Sequence, residues 1–310
     1  MDKKFSFFLS LLIILLSVDC GLRRTWQRTT FIYFDTVCEV ELLGYPAEFK
    51  KAQDEIRRIF SDIERLFSPG SSDFSDPLAL LLYQGAYQVY YDSDGCFDIT
   101  VGPLTKIWGF WDKSFRLPSK KEIGVCLKSV GMEKLKGIAG SPQLSSPGVL
   151  DWGGIAKGFG IDLAYQALLS IGIKRGFLNS GGDLICWGKN PKNTDWQVAV
   201  EHPRKSGYLG ILSISDRAAA TSGDYQRFFI KNGVRYHHVL NPKTGYPARG
   251  KQSVTVVGPQ AVLCDALSTA LFVSPHPEKI LNFYPDYGAI IVDNEGRLSL
   301  FGKVYSFRLF

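Results

Sequence analysis

The stretch AVLCDALSTALF, Ala261 to Phe272, is apolar at most positions yet holds Asp265, Ser268 and Thr269. Its length and composition predict a buried helix over 261–274. Residues 173–257 before it are short strand-like runs broken by Gly, Pro and Asn, and residues 288–303 after it read as a closing hairpin. Further upstream, residues 29–43 alternate as a strand does. Residues 46–67 place Ala52, Ile56, Ile59, Ile63 and Leu66 at helical spacing. "FSPGSSDFSDP" breaks that pattern, and Leu78–Tyr91, Lys120–Val130 and 155–171 read as further helices. Helices and strands that alternate irregularly argue for an α+β fold. No fixed-period repeat is present and no long linker divides the chain after residue 29, so the reading is one compact unit over 29–310.

The bulk numbers agree. A chain of 310 residues, 45% hydrophobic and 21% charged, has material for a substantial core and is too apolar for disorder. The net charge of +6 is mild, and no Lys/Arg run exceeds two residues, so no nucleic-acid partner is expected. Lys3 and Lys4 precede the apolar run Phe5–Leu16, which is too short to span a bilayer comfortably. This is the pattern of an export signal, with an uncleaved anchor as the alternative. Cys20-Gly21 after the run resembles a bacterial lipobox, although Asp19 fits that pattern poorly. The expectation is a signal peptide over 1–19, a lipidated tether over 20–28, and a lipid anchor on Cys20 at the periplasmic face of the inner membrane. Of 6 cysteines, five remain without Cys20, and none forms a C-x-x-C pair. Neither a disulfide framework nor a zinc or iron–sulfur site is indicated, and most read as small buried hydrophobes.

Several polar and glycine clusters carry chemistry. Gly95-Cys96-Phe97-Asp98 is a turn glycine followed by an aromatic and a carboxylate, common at strand entries. "DWGGIAKGFGID", Asp151 to Asp162, opens a helix with paired glycines, which allow close backbone approach to an anion at the helix N-terminus. Lys157 is followed by Gly158, so this is no Walker A loop, and it is not G-x-G-x-x-G. A lysine at a helix start is electrostatically misplaced unless something negative is near, which points to phosphate. "NSGGDL", Asn179 to Leu184, offers exposed backbone N–H groups or merely a tight turn. In "TSGDYQRFF" and "YHHVLNPKTGYP", His237 and His238 would face opposite sides of a strand, so only one faces a site. In a helix, Asp265 and Thr269 share a face, which suits either a hard cation such as Mg²⁺ or a plain helix back-bond by Thr269.

Taken in order, "FDITVGPL", "DWGGIAKGFGID", "NSGGDL", "TSGDYQRFF…YHHVLNPKTGYP" and "SVTVVG…CDALSTALF" resemble the ApbE family, the FAD:protein FMN transferases, over about residues 29–310. The resemblance implies a T-fold-related α+β fold built from a duplicated motif. It also implies an exported enzyme that uses Mg²⁺ and takes FAD as substrate. FMN would pass to a Thr hydroxyl of an acceptor flavoprotein, and AMP would leave. The family's metal ligands map onto the carbonyl of Gly154 and the side chains of Asp265 and Thr269. Its FAD contacts map onto Phe34, Cys96, Phe97, Asp98, Asp151, Lys157, His238 and Val239. The expected catalytic residues are His238, Lys157 and Asp265.

The chain departs from the family pattern in three places. Phe34-Asp35-Thr36 stands for the usual Met-Gly-Thr, Asn241 for an aspartate, and the segment after the first long helix keeps Ser72 and Ser75 without the usual tyrosine and Leu-Asn pair. These changes motivate two alternatives: a Mg²⁺-dependent FAD pyrophosphatase giving FMN and AMP, and a non-catalytic flavin-binding lipoprotein. The complete "DALST" and "GGIAKG" motifs argue against the second.

Overall fold

The computed structural model describes residues 23–71, 73–138, 141–144 and 149–310. The expected signal peptide, Cys20 and Ser72 lie outside the described residues. The chain starts with β1 (Thr25–Tyr33) and β2 (Thr36–Gly44), paired antiparallel from Thr25 opposite Gly44 to Tyr33 opposite Thr36. The single strand expected over 29–43 is therefore a hairpin. Phe34 and Asp35 make its turn, both at φ 56. Two consecutive left-handed residues match the twist of the flanking strands, and the side chain of Glu64 accepts from the Phe34 N–H to hold the turn. Residues 25–28, assigned to the tether by the sequence reading, already pair with β2.

α1 (Pro46–Leu66) buries all five of the apolar residues named from its spacing. It is followed by α2 (Pro77–Asp92), capped by Asp76, then by α3 (Gly102–Trp108) and α4 (Lys120–Leu127). A small ribbon, β3 (Leu135–Ile138) with β4 (Ser141–Leu144), precedes α5 (Ala156–Ile171). The strand-rich part comprises β5 (Gly176–Ser180), β6 (Asp183–Trp187), β7 (Trp196–Glu201), β8 (Tyr208–Ile214), β9 (Arg217–Gly223), β10 (Phe228–Lys231), β11 (Val234–His237) and β12 (Lys251–Gly258). α6 (Ala261–Val273), α7 (Pro277–Leu281), β13 (Gly288–Asp293), β14 (Leu298–Gly302) and β15 (Phe307–Leu309) close the chain.

Eight strands form one antiparallel sheet in the order β1-β2-β5-β6-β9-β12-β13-β14. Helices α1, α5 and α6 cover one face through Leu42, Phe60, Ile161, Ile185, Val254 and Leu267, all buried. A second sheet, β15-β8-β7, covers the other face through Leu184, Cys186, Trp196, Leu212 and Ile290. Strands β6 and β12 lie between these layers, which is why nearly every residue in them is buried. A third cluster, with Leu104, Trp108, Ile123 and Leu240, joins α3 and α4 to the segment after β11. Among the described residues no helix is long and apolar enough to cross a membrane. The five described cysteines are unpaired; Cys38, Cys96, Cys186 and Cys264 are buried and Cys126 is half-buried.

The two helices that carry the quoted motifs cross at their N-terminal ends. A Cβ on Gly158 of α5 would lie 2.3 Å from the carbonyl oxygen of Ala261, so only glycine permits this approach. At the same crossing, Asp162 of α5 accepts from the N–H groups of Ala261 and Val262, each at 2.9 Å. That caps α6, whose own N-cap residue Gln260 makes no side-chain capping bond.

Candidate active site

The loop before α5 is shaped by Asp151. Its Oδ1 accepts from the N–H of Gly153 at 2.9 Å and its Oδ2 from Thr105 Oγ1 at 2.7 Å. Both oxygens of this expected FAD contact are thus bound within the chain. The loop brings Gly154 onto α6: a Cβ there would lie 3.1 Å from Thr269 Oγ1 and 3.3 Å from the Phe97 ring. One helical turn away, Asp265 Oδ2 accepts from the N–H of Gly158 at 3.1 Å. Ser222 of β9 ties this seam to the sheet. Its Oγ lies 2.7 Å from Ser268 Oγ and 3.2 Å from Thr269 Oγ1, while Ser268 Oγ donates to the Asp265 carbonyl at 2.8 Å. Gly154, Asp265 and Thr269, which are far apart in sequence, therefore meet in one place.

Lys157 projects from the first turn of α5 and pairs with Asp183 at the start of β6. The Asp183 side chain is only 4% exposed and that of Lys157 26%. Burial by itself would lower the lysine pKa, but the carboxylates of Asp183 and Asp265 outweigh it and hold the ammonium above its ordinary value. Asp265 is pushed up, first by burial and then by Asp183, with Lys157 opposing. Asp183 was not named from the sequence; its only signal was the motif "NSGGDL", which a tight turn explains equally well.

His238 follows β11 and is half-buried. Its main-chain N–H donates to the Arg227 carbonyl at 3.0 Å, and its ring Nδ1 lies 3.3 Å from the same oxygen. A carbonyl only accepts, so Nδ1 carries the hydrogen and the Nε2 lone pair is left for another partner. Burial, then the charge of Arg227, then His237 and, more weakly, Lys157 lower the ring pKa to about 3, so the imidazole is neutral at pH 7. His237 is buried on the opposite side, its Nε2 2.8 Å from the Ala248 carbonyl, as the strand alternation required. Val239 is buried, and its carbonyl accepts from Ala248 N–H at 2.9 Å.

Of the remaining expected contacts, Phe97 borders this centre. Phe97 is buried against Gly154, and its N–H donates to Ser93 Oγ at 3.1 Å. Cys96 is buried beside it. Asp98 accepts from the N–H of Thr100 at 2.7 Å and from its hydroxyl, and burial lifts its carboxyl to about 6. Thr100 Oγ1 in turn accepts from Gly131 N–H at 2.7 Å, so Asp98 ends in a buried cap. The Phe34 ring packs edge-on against Phe60 at 5.2 Å and lies beside Gly160 of α5.

Among the described residues no three His, Cys, Asp or Glu side chains converge as a metal cluster. The set at Gly154, Asp265 and Thr269 is of another kind, a carbonyl, a carboxylate and a hydroxyl, which are hard oxygen donors. Two surface clefts of about 540 and 430 Å³ lie elsewhere, against α7 and the β13–β14 hairpin, and contain none of these residues.

The sequence model of the ApbE family matches residues 34–290. The chain belongs to the ApbE family. A FAD:protein FMN transferase of Haemophilus influenzae is 32% identical over 214 residues, covering 66% of this chain and 60% of that protein. One of Rhodobacter capsulatus is 34% identical over 267 residues, covering 79% and 51%. The chain thus spans about half to three fifths of these two relatives. The crystal structure of an ApbE protein from Thermotoga maritima superposes with a TM-score of 0.81 at 30% identity, over 89% of this chain and 97% of that one. The α+β class expected from the sequence is the ApbE fold. The two ApbE motifs that begin α5 and run through α6 are the segments that meet at Gly154 and Thr269.

Proposed function

We propose that this chain transfers FMN from FAD to a Thr hydroxyl of an acceptor flavoprotein, in a Mg²⁺-dependent reaction that releases AMP. The observation that carries the reading is the meeting of Gly154, Asp265 and Thr269 beside the Lys157–Asp183 pair. Two carboxylates and one ammonium leave this floor one negative charge in excess when all are ionised. With the raised pKa of Asp265, that imbalance favours a bound cation over a bare anion. The Gly154 carbonyl, the Asp265 carboxylate and Thr269 Oγ1 would hold Mg²⁺. When bound, it supplies charge neutralisation on the phosphoryl oxygens.

The chain's own residues set the rest. Asp183 fixes Lys157 with its ammonium directed to the cluster, where it is available to a phosphate oxygen. The acceptor hydroxyl attacks the FMN phosphorus, the bridging P–O bond to AMP breaks, and the hydroxyl proton passes to Nε2 of His238. The neutral ring, oriented by the Arg227 carbonyl, is in the tautomer this step requires. The relatives named FAD:protein FMN transferase support the same assignment. We place the protein outside the cytoplasm, lipid-anchored at Cys20 on the periplasmic face of the inner membrane, on the pattern of residues 3–21.

Incubation of the chain with FAD, Mg²⁺ and an acceptor domain bearing the target Thr tests the reading. Covalent flavin fluorescence on the acceptor, with one AMP released per label, is expected. Free FMN and AMP without acceptor labelling would replace transfer by pyrophosphate hydrolysis, and intact FAD would overturn both.

A further inference from the structure

We propose that Arg227 binds the substrate diphosphate, an assignment that rests on the FAD-transferase reading above. The segment Thr221–His238 contains two arginines, Arg227 and Arg235, and Arg204 and Arg217 lie upstream of it. Arg204, from the loop after β7, closes both oxygens of Asp224 in a two-pronged pair at 2.7 and 2.6 Å. Arg235 donates to the Asp224 carbonyl at 3.3 Å and stacks over Phe228 at 3.9 Å. Arg217, just upstream, donates to the Asp216 carbonyl at 2.8 Å and lies over Tyr305. Each of these guanidinium groups is committed to the chain. Arg227 is different: it is exposed, and its guanidinium has no hydrogen bond, ion pair or ring contact among the described residues.

Its position is not arbitrary. The Arg227 carbonyl receives both the main-chain N–H and the ring Nδ1 of His238, so the two residues are locked side by side. Its charge also reaches Lys157 and opposes that ammonium. Lys157 already shares its charge with Asp183. Besides that paired ammonium, a diphosphate entering this site meets the uncommitted guanidinium of Arg227, a planar fork suited to two phosphate oxygens. Because Arg227 also lowers the proton affinity of His238, a phosphate that neutralises it makes Nε2 a better proton acceptor. Substrate binding and activation of the base become one event.

The test compares ADP with riboflavin on the full chain by calorimetry, in wild type, Arg227→Ala and Arg227→Lys. ADP shares the diphosphate of FAD, whereas riboflavin has no phosphate. The expected result is a ten- to hundredfold loss of ADP affinity in Arg227→Ala, from about 1.5–3 kcal/mol for a hydrogen bond to a charged group. A smaller loss is expected in Arg227→Lys, and riboflavin affinity should be unchanged in both. Equal ADP affinity in all three proteins would overturn the assignment, as would parallel losses for ADP and riboflavin. If no FMN reaches an acceptor while Arg227→Ala still loses ADP selectively, the transferase reading fails and the diphosphate site stands.

Discussion

Asp162 and Asp265 secure each other's helices. Asp162 leaves α5 to accept from the first two N–H groups of α6, and Asp265 leaves α6 to accept from the N–H of Gly158 in the first turn of α5. Each carboxylate sits at the positive end of the neighbouring helix dipole. Gly158 permits the close crossing that makes the exchange possible. The position of Asp265 is thus fixed by a residue over a hundred positions away in the chain.

Removing the cap should loosen the site as well as the fold. Asp162→Ala is expected to cost about 1 kcal/mol, the usual loss for an N-cap carboxylate, read as a lower urea midpoint. Asp162→Asn, which keeps one acceptor, should lose less. Because α6 also carries Thr269, the Ala variant should need more Mg²⁺ for half-maximal activity. An unchanged urea midpoint would show that the cap does not hold α6.

Lys157→Met strips the charge from a pair whose other member is 4% exposed. An uncompensated buried carboxylate typically costs about 3–5 kcal/mol. Asp183→Asn alone leaves the partly exposed ammonium with water and should cost less. The double variant should be more stable than the sum of the single losses predicts, and strict additivity in that cycle would mean that the pair does not interact.

Asp265→Ala should abolish turnover, by about a thousandfold or more, on the scale of losing a main electrostatic stabiliser. The Asp183 carboxylate would remain beside Lys157, so the fold should survive, as circular dichroism can report. Mg²⁺-dependent activity that persists unchanged would refute the metal assignment.

The buried cap at Asp98 has a pH signature. Burial lifts its carboxyl to about 6, against about 3.9 in an unfolded chain. Between about pH 4 and 6 the folded protein keeps a proton that the unfolded chain has shed. Stability should therefore fall as pH rises through that window. Asp162, lifted to about 6 by the same cause, acts in parallel. Asp98→Asn should lessen the decline without abolishing it, and urea midpoints at pH 4.5 and 6.5 with an undiminished difference would exclude Asp98 as a source.

Much of this architecture is legible in the chain, and the exceptions have physical reasons. Periodicity found α1 and its five buried positions because one face of that helix meets the core and the other meets water. It missed the β1–β2 turn because Phe34 and Asp35 adopt left-handed backbone without glycine or asparagine to announce it. The second sheet was not foreseen, since β15 is three residues long and pairs with a strand about a hundred residues away. At the site, the sequence named Gly154, Asp265 and Thr269 through their motifs, and the structure brings them together. It did not name Asp183, Asp162 or Arg227, because what distinguishes each is its partner, or its lack of one. A pairing across 26 residues, as between Lys157 and Asp183, leaves no periodic trace.

The five described thiols share one chemical consequence of their burial. Burial raises the pKa of every one of them, Cys126 included, so little thiolate exists at neutral pH. Thiolate is the species that attacks a disulfide. The five described sulfur atoms are therefore held in the less reactive thiol form, and the four buried ones serve as space-filling groups.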